Sequence, residues 1–187
     1  MNSLSRRGFL SRLGTGTAGL TIAPLLTLQS RRAFGDPSFG GGFGALSPQL
    51  PLNSDELTNA FIGDLRGKPI LALPDGFEYR VVSYTGQTLA DGSLVPGSHD
   101  GMAAFKGSKG STILVRNHEL SPTSSLGVPA PADKKYDPGC KGGTTTVVID
   151  NQGKLVSHRA SISGTTRNCA GGPTPWGTWI TCEEDVS

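Results

Sequence analysis

No run of residues in this chain is long and uniformly apolar enough to cross a bilayer as a helix, which argues against a helical integral membrane protein. Cysteine is scarce. Cys140, Cys169 and Cys182 are three in number, so a framework built only of intrachain disulfides would leave one thiol over. Several catalytic signatures are missing as well. There is no GxSxG elbow, no HExxH pair, no Walker A loop and no CxxC pair. A serine hydrolase of the elbow type, a zincin and a P-loop enzyme are therefore unsupported. A basic stripe is also lacking. The formal charge of +2 comes from five arginines ahead of Asp36, and from Asp36 onward 12 basic residues face 15 acidic ones. A mildly acidic body does not suit nucleic acid as a partner. It suits carboxylates that hold cations.

What is abundant is turn chemistry. Glycine (27) and proline (13) crowd a chain of 187 residues, which favours short strands and many turns over long helices in one domain of ordinary size. At the start, Ser5-Arg6-Arg7-Gly8-Phe9-Leu10 matches the twin-arginine export pattern, and a softened apolar run, Leu13 to Leu28, follows. Ala33-Phe34-Gly35 offers a small-x-small cleavage point, so residues 1–35 read as a signal peptide with Arg6 and Arg7 as its recognition pair. The twin-arginine export machinery is then a partner, and no stable membrane span is expected after cleavage. That route carries folded cargo, which suits a protein whose metal is assembled before export.

Residues 36–68 read as a linker and a short helix. Asp36 to Pro51 lacks periodicity, and Ser54-Asp55-Glu56-Leu57 starts the helix with Ser54 as N-cap, ending near Gly63. Strands are expected at Pro69–Leu73, Phe77–Tyr84, Gly110–Asn117, Thr144–Ile149, Lys154–Ile162 and Trp176–Thr181. The fourth and fifth form a hairpin around Asp150–Gly153. Ala90 to Gly101 and Ser121 to Gly143 read as long loops, and His158 as solvent-facing. The fold class is all-β, with a sandwich, a barrel or part of a propeller as its architecture.

Thr165 to Glu184, TTRNCAGGPTPWGTWITCEE, concentrates the chemistry. Cys169 precedes Ala170-Gly171-Gly172-Pro173, which reads as a turn, and the following strand ends on Glu183 and Glu184. A thiolate beside carboxylates is a candidate metal site. The competing reading makes Cys169 a buried thiol or half of a disulfide and the glutamates a solvated rim. In a straight strand the two glutamates face opposite ways, so one ion can hold both only if the strand bends or bulges there. Arg116-Asn117-His118-Glu119 forms a second polar strand end, where Glu119 suits a hard cation and Asn117 can donate to an anion. His99-Asp100-Gly101-Met102 is a polar loop in which Asp100 fits either a calcium ligand or a turn residue.

These segments together resemble the N-terminal part of the PhoX alkaline phosphatase family. The resemblance runs from Leu73-Pro74-Asp75-Gly76-Phe77 through Val95-Pro96-Gly97-Ser98-His99-Asp100-Gly101-Met102-Ala103-Ala104-Phe105. It continues with Val115-Arg116-Asn117-His118-Glu119 and Gly142-Gly143-Thr144-Thr145-Thr146, and ends on Asn168-Cys169-Ala170-Gly171-Gly172-Pro173-Thr174-Pro175-Trp176-Gly177-Thr178-Trp179 with Thr181-Cys182-Glu183-Glu184. It implies a periplasmic or secreted six-bladed β-propeller that hydrolyses phosphate monoesters with iron and calcium. By motif match it implies Cys169 as an iron ligand, Glu183 or Glu184 as a further metal ligand, Glu119 as a metal contact and Asn117 as a phosphate contact. Residues 69–187 would then be the N-terminal part of the propeller, a monomer, and are expected to be inactive without the later blades. The alternative is a non-catalytic secreted propeller that binds calcium or another ligand; a structural exported fragment is the third reading.

Overall fold

The computed structural model describes residues 43–184. The expected signal peptide, with Arg6 and Arg7, and the first part of the linker lie outside them. Among the described residues ten strands follow one another: β1 (Ser47–Gln49), β2 (Thr58–Asn59), β3 (Gly63–Asp64), β4 (Leu71–Leu73), β5 (His99–Lys106), β6 (Thr112–His118), β7 (Gly142–Ile149), β8 (Leu155–Thr165), β9 (Asn168–Pro173) and β10 (Trp179–Glu183). Helix is limited to single 3₁₀ turns among the described residues, so the all-β expectation holds. No helix among them is long and apolar enough to cross a membrane.

The chain divides into two compact units. Of the described residues, the smaller takes in 43–51 together with Pro69–Tyr79. Here β1 pairs antiparallel with β4, Ser47 opposite Leu73. The Tyr79 hydroxyl donates to the Gln49 carbonyl at 2.8 Å and accepts from the Ile70 amide at 3.1 Å. Phe43 and Phe77 meet edge to face.

The larger unit holds Leu52–Lys68 and the described residues 80–184. Its centre is a four-stranded antiparallel meander in the order β5-β6-β7-β8. The threonine and valine content of Thr144–Val148 suits a strand flanked on both sides, and β7 is buried from Gly142 to Val147. β9 and β10 form a separate hairpin, and β9 packs against β5 and β6. Among the described residues the apolar core is small: Leu57, Leu89, Val95, Leu120, Val128 and Val147 are buried. Twelve polar or charged side chains are buried beside them, so this interior depends on satisfied hydrogen bonds.

Four expectations need correction. The helix at Ser54 is a single 3₁₀ turn, Ser54–Glu56, preceded by Asn53 and without a side-chain cap. Leu57 is buried and its carbonyl accepts from Leu65, while Thr58 and Asn59 pair with Asp64 and Gly63. The chain turns back because the Asn59 carboxamide accepts from the amides of Phe61 and Ile62, a local turn that outcompetes helix. Phe77–Tyr84 is not a strand either. The Asn53 carboxamide occupies the place of a partner strand, donating to the Val81 carbonyl and accepting from its amide, and Ser83 takes a φ of 53° that breaks the extended run. His99 to Gly101 begins β5 instead of closing a loop. Finally, His158 is buried at 5% exposure, bonded to the Ser83 hydroxyl and the Thr88 carbonyl.

Candidate active site

The site is assembled where β6 ends and the β9–β10 hairpin crosses it. Cys169 lies on β9, and so do Ala170 to Pro173, which read as a turn in the sequence. Gly171 and Gly172 are absent from the left-handed positions, so these glycines serve a different purpose. A Cβ on Gly171 would sit 2.3 Å from the Ile180 carbonyl oxygen and 2.4 Å from the Trp179 ring. The glycine allows β10 and its indole to lie directly on β9. Gly101 plays the same part from β5, since a Cβ there would sit 2.5 Å from the Cys169 carbonyl oxygen. The actual turn is further on: Thr174 and Thr178 are bonded through backbone and hydroxyls around Gly177, whose φ is 81°. Trp176 is therefore in that turn, and the strand begins at Trp179.

Asn117, on β6, holds this hairpin. It is fully buried. Its Nδ2 donates to the carbonyls of Cys169 (3.1 Å) and Ala170 (2.9 Å). Its Oδ1 accepts from Trp179 Nε1 (3.0 Å) and Thr181 Oγ1 (2.9 Å). Both donors and both acceptor positions of the carboxamide are used. The amide expected to reach a phosphate is thus engaged inside the fold. Asn168, also fully buried, repeats the arrangement one residue before the cysteine: it donates to Thr181 Oγ1 at 2.9 Å and accepts from Thr165 Oγ1 at 2.6 Å.

The two glutamates part company. The β9–β10 register breaks between Thr181 and Glu183, the irregularity that two consecutive residues need in order to escape strict alternation. Glu183 turns its Oε1 to the Thr166 amide at 2.7 Å. Glu184, whose amide is tied to the Arg167 carbonyl at 3.0 Å, comes to lie beside the half-buried Cys169 thiol. Burial pushes that thiol above its ordinary value. The Glu184 carboxylate and the charge of Asp100 push the same way, against the Ala170 backbone amide. The negative charge that Glu184 and Asp100 place on the thiol would be relieved by a cation, and a bound cation would release the thiol proton. Cys169 and Cys182 are free thiols, so the disulfide alternative for Cys169 finds no support.

Glu119 stands apart. It is exposed, its amide donates to the Ser98 carbonyl at 2.9 Å, and its carboxylate makes no hydrogen bond or ion pair among the described residues. Among those residues no three Cys, His, Asp or Glu side chains close into a ligand set; what the fold brings together is Cys169 with Glu184, and Asp100 in their field. The sequence reading missed Gly101, Asn168, Trp179 and Thr181 as supports of this corner. The glycines next to bulky residues were the available signal for a close backbone approach.

Arg116 points elsewhere. It is 5% exposed, and it donates to the Ser83 carbonyl (2.7 Å), the Ser83 hydroxyl (2.9 Å) and Thr145 Oγ1 (3.2 Å). Its Nε has no partner, and no carboxylate pairs with it among the described residues. Burial lowers its pKa to about 10, which leaves it charged at neutral pH.

Comparison with known proteins gives one family. The family model described as alkaline phosphatase PhoX matches residues 61–161 and 154–187. Neither the curated proteins nor the solved structures give a match. With the two matched stretches covering most of the chain and taking in Asn117, Cys169, Glu183 and Glu184, the protein belongs to the PhoX alkaline phosphatase family.

Proposed function

We propose that this chain supplies a cysteine–carboxylate corner of a metal-dependent phosphatase that hydrolyses phosphate monoesters outside the cytoplasm. The observation that carries the proposal is the placement of Cys169 beside Glu184, with Asp100 adding negative charge. A thiolate and a carboxylate suit iron, and carboxylates alone suit calcium. Cys169 and Glu184 are the side chains that would hold iron. Glu119, exposed at the end of β6, is assigned to a calcium ion. Glu183 is assigned to the backbone of Thr166, with which it is already bonded.

Bound cations would neutralise phosphoryl oxygens and lower the pKa of a coordinated water. The protein's own residues hold the corner in shape. Asn117 fixes the two carbonyls around Cys169, the indole of Trp179 and the hydroxyl of Thr181 in one buried knot. A phosphate contact by Asn117 would require the amide to give up at least one of those partners. No side-chain nucleophile is needed, in keeping with the missing serine elbow. The four-stranded meander β5-β6-β7-β8 has the form of a propeller blade and supports assignment to the first part of a six-bladed propeller. Arg6 and Arg7 support export by the twin-arginine route to the periplasm or the medium, where the protein acts as a monomer.

The test is hydrolysis of p-nitrophenyl phosphate by the protein as its source cells export it, before and after chelation with EDTA. The expected result is turnover lost with the metals and restored by iron plus calcium. Turnover that survives complete metal removal contradicts the proposal. So does metal-loaded protein without turnover, which would make it a secreted binding propeller.

A further inference from the structure

A groove of about 690 Å³ runs along the outer edge of β8. Its floor is Arg159 to Ile162, and its walls are Pro129–Pro131 and Lys134–Tyr136. Two backbone contacts close its ends. The Ala90 amide donates to the His158 carbonyl at 3.0 Å, and the Tyr136 amide donates to the Ser163 carbonyl at 2.9 Å. Between them β8 has no backbone partner on this side among the described residues, and it is the last strand of its sheet. The register sets His158 opposite Val147 and Ala160 opposite Thr145. Ala160 is therefore in phase with His158, and its amide and carbonyl point away from β7 as the His158 carbonyl does. A short stretch of unpaired strand edge lies at the bottom of the groove, the feature that folded proteins otherwise cover or block with charge.

The charges around it are unequal in their commitments. Asp91 accepts from both the amide and the hydroxyl of Ser93, and Asp133 lies 3.8 Å from Lys134. Lys135, half-buried, and Arg159, exposed, have no carboxylate partner among the described residues. Asp91 keeps its charge and Asp133 is paired with Lys134, so Lys135 and Arg159 leave the groove with a net positive charge of one. Tyr136 is 84% exposed and Ile162 41%, which adds apolar surface within reach of a ligand. An open edge selects extended backbone, and free cations select acidic side chains.

We propose that this groove binds an extended acidic peptide segment of a partner protein, which pairs with the β8 edge at Ala160 and sets its carboxylates against Lys135 and Arg159. Alternate side chains of an added strand face the same way. A peptide alternating glutamate with valine would therefore present its carboxylates on one face, the face that Arg159 and Ile162 share opposite Thr146 and Thr144, and its valines on the other.

The experiment is fluorescence anisotropy of the exported protein with a labelled six-residue peptide alternating glutamate and valine, against a peptide alternating lysine and valine. The acidic peptide is expected to bind and to weaken as salt rises, and the lysine peptide to fail. Lys135→Glu with Arg159→Glu should weaken binding at least tenfold. Ala160→Pro removes one outward amide on an edge strand, where proline is tolerated; it should abolish binding while leaving thermal unfolding within a few degrees. Failure of both peptides to bind, equal binding of the two, or full affinity in a folded Ala160→Pro protein would overturn the proposal. So would self-association that Ala160→Pro abolishes, which would make the occupant a second copy of this chain.

Discussion

Arg116 and Asn117 are neighbours on β6, yet alternation along the strand sends them to opposite faces, where each anchors a buried polar cluster. The Arg116 side joins β6 to the segment around Ser83 and, through the hydroxyls of Ser83 and Thr145, to His158 and His118. It buries a cation with no carboxylate and leaves one nitrogen unpaired. The Asn117 side is neutral and complete, with every position of the carboxamide matched to β9 or β10. A buried charge without a counter-charge is costly to keep, whereas a fully satisfied amide rigidifies what it touches. The comparison assigns fold integrity to the first cluster and the geometry of the cysteine corner to the second.

The sharpest way to break that comparison is to remove the amide. Asn117→Ala would strand two carbonyls, an indole N–H and a hydroxyl, at an expected cost of about 2–4 kcal/mol, read by urea unfolding. A loss below about 1 kcal/mol would mean that the hairpin is held by packing alone. The histidine side yields a smaller effect that depends on pH. Burial holds His118 near a pKa of about 3 and pushes His158 in the same direction. A histidine whose folded value lies below the unfolded 6.5 is neutral in the native state. Its contribution is therefore intact above pH 6.5 and is lost as pH falls below that, at up to ~1.4 kcal/mol per pH unit for each histidine. Thermal melts between pH 7.5 and 4.5 should show this decline. His158→Gln should make it less steep, with His118 and His99 still contributing, while Asn117→Ala should lower stability at every pH without changing the slope.

The sequence was most informative where a pattern was repeated along a strand. Thr112 to Asn117 and the Asp150–Gly153 hairpin were legible because alternation and turn residues agree there. It was least informative where a side chain replaces a strand. Nothing in the order of residues announces that Asn53 will pair with Val81, or that Asn59 will end the helix before it starts. At the site, Cys169 and the glutamate pair stood out by residue type. The separation of Glu183 from Glu184 did not, because it depends on a register break that local sequence leaves open. Gly171 was read as a turn former, since glycine signals both conformational freedom and close approach, and only the position of Trp179 tells the two apart. Local sequence suggests an exposed His158, because its burial depends on Ser83 and Thr88, seventy residues or more away in sequence.

The most direct measurement is the iron content of three variants of the exported protein beside the parent: Cys169→Ser, Glu184→Gln and Glu183→Gln. Iron should be lost from the first two and kept in the third, because Glu184 faces the thiol and Glu183 is bonded to the Thr166 backbone. Iron retained in Cys169→Ser, or lost from Glu183→Gln while Glu184→Gln keeps it, would contradict the account.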